Sequence, residues 1–100
     1  MPEFMFTHRF PKGFTGSPET AAAATAYFRE IADVVVRRND PAFEMRKLGD
    51  CDGATETGAY TIVTADDAEA ALAIAGRWPL LQRGAGLELR QLTTGTWAQD

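Results

Sequence analysis

The chain is poor in the residues that bind metals and form disulfides. Among its 100 residues it has one cysteine, Cys51, and one histidine, His8. A single cysteine excludes an internal disulfide framework and is typical of a reducing compartment. One cysteine and one histidine cannot build a structural zinc site, and the sequence Asp-Cys-Asp-Gly at 50–53 lacks the ligand spacing of a calcium loop. We therefore expect no metal site.

Several other signals are also missing. No apolar run approaches the roughly 20 residues that cross a bilayer. Charged residues near the start, such as Glu3 and Arg9, argue against a secretory signal there. The net charge is −4 and the basic residues are scattered, which disfavours nucleic acid as a partner. Neither a GxGxxG nor a P-loop sequence occurs, so no nucleotide cofactor is implied. These absences predict a cytoplasmic protein with no nucleic-acid or membrane partner.

Hydrophobic periodicity predicts one domain over residues 1–100, with a polar tail from about residue 93. Alternating apolar residues predict strands at 3–10, 42–48, 57–65 and 87–92. Two helix starts are indicated by capping sequences, Ser17-Pro18-Glu19 and Asp66-Asp67-Ala68-Glu69. We expect the first helix to run on until Asn39-Asp40-Pro41 stops it, and the second to end before Pro79.

The resulting order, β-α-β-β-α-β, predicts an α+β ferredoxin-like fold with a four-stranded antiparallel sheet. Right-handed crossovers would put both helices on one face of that sheet. The other face would then expose apolar side chains from several strands, a larger patch than monomers usually tolerate. We therefore expect a homodimer that pairs through the open sheet face.

Several stretches in the second half of the chain carry a family resemblance. They are LGDCDG at 48–53, ETGAYTIV at 56–63, ADDAEAAL at 65–72, AGRWP at 75–79, and the glycine turn at 84–86 before LELR at 87–90. Together they resemble the YCII-related family, also called DGPF-domain proteins. The resemblance implies a dimeric α/β-barrel fold related to muconolactone isomerase. It also implies a link to aromatic breakdown products, which a few relatives handle, and a proposed catalytic histidine–aspartate pair.

Two features of this chain depart from the family pattern. Ala54-Thr55 follows Asp52-Gly53, where the family has Pro-Phe. The predicted first helix contains no histidine, so the family's histidine–aspartate pair does not carry over intact. The one imidazole available is that of His8, on the first strand.

His8 and Asp52 are the candidate catalytic residues. Histidine is the side chain whose ordinary pKa allows proton transfer near neutral pH, and alternation puts His8 on the face of Phe4 and Phe6. The alternative is a structural histidine hydrogen-bonded at a strand end. Asp52, with Asp50, could orient a substrate or His8, or could simply stabilise a turn. The sequence places no base or cation beside Cys51 that would activate its thiol, which argues against thiol catalysis.

Four residues are candidates for ligand binding: Phe6, Tyr60, Arg46 and Arg90. A tyrosine hydroxyl and an arginine could bind a carboxylate or phenolate. The alternative is a core or interface tyrosine with surface arginines. We expect a sheet-face cleft, lined by Phe4, Phe6 and Tyr60 and closed by a partner, that binds a small organic acid or aromatic metabolite. Isomerase- or lyase-like proton transfer is left open, and the alternative function is a non-catalytic dimeric interaction or regulatory module.

Overall fold

The computed structural model describes residues 1–41, 48–49, 51 and 53–93. It contains four strands and two α-helices: β1 (Glu3–Pro11), α1 (Pro18–Glu30), β2 (Val35–Pro41), β3 (Thr55–Thr64), α2 (Ala68–Ala75) and β4 (Gly86–Leu92). A short 3-10 helix follows each α-helix, at Ala32–Val34 and at Pro79–Arg83. The strands form one sheet in the order β2-β3-β1-β4, and every neighbouring pair is antiparallel. The predicted ferredoxin-like α+β fold is therefore confirmed.

Both helices cover the same face of the sheet. Phe4, Phe6 and Val63 are buried on that face. The helices and the segment after α2 add the rest of the core, chiefly Tyr27, Ile31, Ala71, Ala75, Trp78 and Leu80. Side chains alternate across a strand, so Met5 and Thr7 point to the opposite face, where they are partly exposed. We call this opposite side the open face.

Helix α1 begins where the sequence predicts, at a capping box. The Ser17 hydroxyl accepts a hydrogen bond from the Thr20 backbone N–H at 3.1 Å, and the Ser17 N–H donates to Thr20 Oγ1 at 2.8 Å. Pro18 occupies the first helical position, where its fixed φ suits a helix and its missing N–H costs nothing. Alanines at 21–24 then continue the helix with the highest intrinsic propensity.

The first helix ends earlier than its hydrophobic periodicity predicts. The helix stops at Glu30, and strand β2 begins at Val35. Three consecutive β-branched residues, Val34–Val36, favour a strand, and Val35 pairs with Val63 of β3 on the face that packs on the core. The second strand therefore starts before residue 42, where we expected it. Residues 42–47 of the expected strand lie outside the described residues, and Leu48 is not part of a strand.

A bulge interrupts the pairing of β1 with β3 beside His8. His8 pairs with Ala59 while Arg9 pairs with Thr57, so Gly58 is the extra residue on β3. The ring of Phe10 lies directly on the Gly58 backbone, in space that a Cβ would occupy. Glycine at 58 therefore lets an aromatic side chain pack on the sheet at the point where the strand bends.

A candidate ligand-binding groove beside a buried histidine

His8 is buried in the layer between the sheet and the helices. Its side chain is 0% exposed, and its Nε2 lies 2.9 Å from Thr61 Oγ1 on the neighbouring strand. The imidazole contacts two rings, Trp78 with centroids 4.6 Å apart and Phe28 with centroids 5.8 Å apart. Its other nitrogen, Nδ1, has no hydrogen-bond partner among the described residues. One ring nitrogen of His8 therefore has a hydrogen-bond partner, and the other has none among the described residues.

Burial keeps the His8 side chain neutral. Removal from water lowers the pKa of His8 from its ordinary value of 6.5 to about 4, because desolvation disfavours the charged form. At pH 7 the imidazole carries one proton and can act as one donor and one acceptor. A base with a pKa of about 4 is weak at neutral pH, so His8 is better suited to hydrogen bonding than to proton abstraction.

Trp78 adds a second unsatisfied polar atom beside His8. The residue is 4% exposed, and its indole Nε1 has no hydrogen-bond partner in the described part of the chain. Tyr27, a neighbour of Trp78 in the same aromatic cluster, behaves differently: its hydroxyl donates to the Ile74 carbonyl at 2.8 Å. Burial, the main cause, raises the pKa of Tyr27 to about 12, so this hydroxyl stays protonated.

A groove of about 490 Å³ opens between the first half of α1 and the bulged end of the sheet. Most of its wall is apolar, and no charged side chain of the described residues lines it. The lining residues are Phe10, Phe14, Gly16, Ser17, Pro18, Thr20, Ala21, Ala24, Gly58, Ala59, Trp78 and Leu80. We call this cavity the α1 groove. The groove is shallow and largely open to solvent, and its volume lies within the range of pockets that bind small organic molecules.

The α1 groove lies close to His8, which does not itself line it. Three of its lining residues surround that histidine: Ala59 is its partner in β3, Phe10 lies two residues further along β1, and Trp78 contacts its ring. The Phe10 and Phe14 rings, with centroids 5.0 Å apart, form the wall at the bulged end. Trp78 thus forms part of the groove wall, while the histidine that it contacts is fully buried and does not line the groove.

The structure separates the residues that the sequence assigned to one ligand site. Phe6 lies with His8 on the face that the helices cover, where it is fully buried. Tyr60 pairs with Thr7 and therefore lies on the open face, as does Arg90, which pairs with Met5. The expected cleft between Phe4, Phe6 and Tyr60 is therefore not formed, because a strand presents alternate residues to opposite faces.

Two predicted site residues cannot be placed. Arg46 and Asp52 lie outside the described residues, as does Asp50. Cys51 is exposed, and its thiol lies 3.1 Å from the Leu48 carbonyl oxygen. No group of three metal-binding side chains occurs in the ranges that the structure describes.

The open face carries both apolar and charged side chains. Met5 and Ile62 form a cross-strand pair near its centre. Arg9 is held in place at one end: its guanidinium donates to the Thr55 carbonyl at 2.7 Å and to the Thr55 hydroxyl at 2.9 Å, and lies 3.6 Å from Glu88. No described element covers this face.

Sequence reasoning missed most of the α1 groove. It assigned no ligand-binding role to Trp78, Phe14 or Thr20, although all three line the groove. One signal was present, namely Gly58 inside an otherwise regular strand pattern, because an isolated glycine there indicates a bulge or a close approach.

Comparisons with known proteins support the fold. No protein-family model matches the chain, and no curated protein matches it. Among solved structures, the chain is similar to 5-chloro-2-hydroxyhydroquinone dehydrochlorinase from Burkholderia phenoliruptrix AC1100, in complex with 2,5-dihydroxybenzoquinone. The TM-score is 0.66 at 15% sequence identity, over 95% of this chain and 96% of that one. This likeness shows a shared fold. No helix in the described ranges is both long enough and apolar enough to cross a bilayer.

Proposed function

We propose that this protein binds a small, largely apolar organic molecule in the α1 groove. The observation that carries the proposal is the groove itself, about 490 Å³ of largely apolar-walled space whose wall includes Phe10, Phe14 and Trp78. Pockets for small molecules combine apolar walls with a few polar groups that fix orientation. The groove fits an aromatic ring or a similar flat molecule, because aromatic side chains form much of its wall.

The structural neighbour supports this choice of ligand. That dehydrochlorinase has the same fold and was solved with 2,5-dihydroxybenzoquinone, a single six-membered ring. The sequence resemblance to the YCII-related family points the same way, and membership of that family is part of the proposal. Both indications concern ring-shaped metabolites, which the α1 groove is large enough to hold.

Binding is better supported than proton transfer. Isomerase- or lyase-like chemistry through His8 would require a base, and burial lowers the pKa of His8 to about 4. We therefore assign His8 a structural role beside the groove, as a neutral group hydrogen-bonded to Thr61.

The groove proposal is tested by filling the groove. In Ala24→Leu a larger side chain occupies the cavity wall, whereas in Ala22→Leu, on the exposed side of the same helix, it does not. Both substitutions keep a strong helix former, so α1 should be equally stable in the two variants. Amide NMR titrations with a panel of small aromatic compounds would measure binding to each protein.

We expect saturable shifts around Phe10, Thr20 and Trp78 in the wild-type protein and in Ala22→Leu, and a loss of at least tenfold in affinity in Ala24→Leu. That loss follows because the added side chain and the ligand would compete for one space. Equal binding by the two variants, or shifts confined to the open face, would contradict the groove as the site.

We also propose that the protein forms a homodimer through the open face. The Met5–Ile62 pair would lie against the same pair of a second copy. The face also carries charges of both signs, including Arg90 and Glu88 on β4, so it can complement itself across a two-fold axis. If no ligand binds, a dimeric interaction module becomes the better description of the protein.

A further inference from the structure

Four charged side chains form a regular pattern on the open face. They are Glu3 and Arg9 on β1, and Glu88 and Arg90 on β4. Residues that pair across two strands point to the same face and form a row. The four rows, in order along β1, are Glu3–Leu92, Met5–Arg90, Thr7–Glu88 and Arg9–Gly86. Each row has one charge from these two strands, so the sign alternates along the strands: negative, positive, negative, positive.

Two of these four charges have no partner within the described part of the chain. The Arg9 guanidinium lies 3.6 Å from the Glu88 carboxylate, so these two form an ion pair. Glu3 and Arg90 are exposed and form no ion pair with any described residue. A charge that is buried without an opposite charge beside it is strongly destabilising. A partner that covers the open face must therefore supply a cation for Glu3 and an anion for Arg90.

We propose that the open face pairs with a second copy of this chain whose strands run in the opposite direction. This inference rests on the proposed homodimer and specifies its geometry. The two-fold axis lies within the interface, perpendicular to the strands, between the second and third rows. Rotation about this axis brings the first row opposite the partner's fourth row, and the second row opposite the partner's third row. Each positive charge of β1 and β4 therefore meets a negative charge of the partner.

The ion pair inside each copy then becomes the centre of a larger network. Arg9 faces Glu3 of the partner subunit in addition to its own Glu88. Glu88 in turn faces Arg90 of the partner subunit, so the charges alternate through all four side chains. Packed sheets lie about 10 Å apart, a gap that a facing arginine and glutamate can bridge together. The rotation generates this network twice, and every one of the four charges gains a partner.

The apolar centre of the open face fits the same arrangement. Met5 and Ile62 lie in the second row, and Thr7 and Tyr60 lie in the third. Because the axis passes between these rows, the Met5–Ile62 pairs of the two copies lie side by side across it. Each pair also packs on Tyr60 of the partner subunit, which adds aromatic area to the centre of the interface.

The opposite strand direction is disfavoured by charge. Two sheets that pack face to face keep their strands within about 30° of each other, so the alternative axis runs parallel to the strands. Rotation about such an axis leaves every row opposite itself. Rows of β1 and β4 with the same sign would then meet, and Glu3 and Arg90 would be covered without an opposite charge. The Met5–Ile62 contact is possible in both arrangements, so the charges decide between them.

The proposal is tested by mixing two charge-reversal variants, Glu88→Arg and Arg90→Glu. Alone, each variant places like charges opposite each other twice, because position 88 faces position 90 of the partner. In a heterodimer of the two variants, both of these contacts join opposite charges. We expect the heterodimer to associate about tenfold more tightly than either variant homodimer. Sedimentation velocity would give the affinities, and native mass spectrometry would distinguish the species.

A mixture of Glu3→Arg and Arg90→Glu is the matched control. It carries the same formal charges on the same face, and all three substituted residues are exposed, so each variant should fold. Position 3 faces position 9, however, so this heterodimer keeps two like-charge contacts, as many as each of its homodimers. General attraction between the oppositely altered proteins is equal in the two mixtures. We therefore expect the control mixture to gain much less affinity than the first mixture.

The outcomes separate this inference from the proposed homodimer. Equal heterodimer affinity in the two mixtures would overturn the strand direction, as would Glu88→Arg and Arg90→Glu homodimers that are as stable as the wild-type dimer. A wild-type protein that stays monomeric at high concentration would instead overturn the homodimer itself. A wild-type dimer that complements only in the first mixture would support both.

Discussion

His8 shows how burial determines the charge and the hydrogen bonding of one side chain. Its Nε2 is tied to Thr61, and the ring packs against Phe28 and Trp78, so the imidazole contributes to the core as a neutral group. The same burial that disfavours protonation leaves Nδ1 without a hydrogen-bond partner among the described residues. A histidine in this position therefore adds polarity to an apolar site without adding charge.

This burial has a measurable consequence for stability. The folded protein protonates His8 at a pKa of about 4, and the unfolded chain does so at about 6.5. Between these values the unfolded state binds a proton that the folded state does not, so the free energy of unfolding falls as pH falls. The His8 contribution is complete above pH 6.5. We expect about 3 kcal/mol of it to be lost between pH 6.5 and pH 4.

Urea unfolding at several pH values in this window would measure the effect, with His8→Gln as the reference protein. Carboxylates titrate in both proteins, so the difference between the two curves isolates His8. An NMR titration of the wild-type imidazole gives an independent check: its carbon-bound protons should stay at their neutral shifts down to about pH 5. Parallel stability curves together with an imidazole that titrates near 6.5 would disprove the assignment.

At the scale of single elements, the N-terminus of α1 forms one edge of the groove. Ser17, Pro18 and Thr20 line the cavity and also form the first turn of the helix. The capping box holds this turn in place through two reciprocal hydrogen bonds between Ser17 and Thr20. The shape of the groove at this edge therefore depends on the cap.

We expect Ser17→Ala to destabilise the protein by about 1 kcal/mol, because the Thr20 backbone N–H loses its acceptor. Chemical denaturation would measure the change in the free energy of unfolding. Thr15→Ala is a suitable control, since Thr15 is exposed and its hydroxyl makes one long hydrogen bond, 3.5 Å, to the Gly13 carbonyl. Equal stability of the two variants would show that the cap contributes nothing.

Helix starts could be predicted from the sequence, whereas one helix end could not. Ser17 and Asp67 are cap residues whose side chains accept hydrogen bonds from the first turn, and such local chemistry is visible in the sequence. Val35 fits the periodicity of a helix as well as that of a strand. Val35 belongs to a strand because it pairs with Val63 of β3. The sequence did not reveal this pairing, because the two residues lie far apart along the chain.

The candidate site, like the helix boundaries, could be predicted only in part from the sequence. His8 was found because it is the only imidazole, and the alternation that groups it with Phe4 and Phe6 is correct. Both faces of β1 are apolar enough to be the core face, so the sequence did not reveal that the helices cover His8. The unpaired nitrogen of Trp78 depends on the three-dimensional packing, and no sequence pattern indicates it.

At the scale of the whole molecule, the two faces of the sheet have different roles. The face that the helices cover holds the core and the α1 groove, while the open face carries Met5, Ile62 and a mixture of charges. A ligand site on one face and a dimer interface on the other would be structurally independent. Substitutions on the open face should therefore leave groove binding unchanged as long as the monomer remains folded.

This separation gives the test of the proposed homodimer. Ile62→Lys places a charge at the centre of the open face, and we expect it to convert a dimer into a monomer, because a buried lysine without a partner is costly. Leu72→Lys is the matched control: Leu72 is 57% exposed on α2, on the face opposite the sheet core. Sedimentation velocity would give the oligomeric state of each protein. A monomeric wild-type protein, or a dimer that Leu72→Lys breaks and Ile62→Lys does not, would place any interface elsewhere.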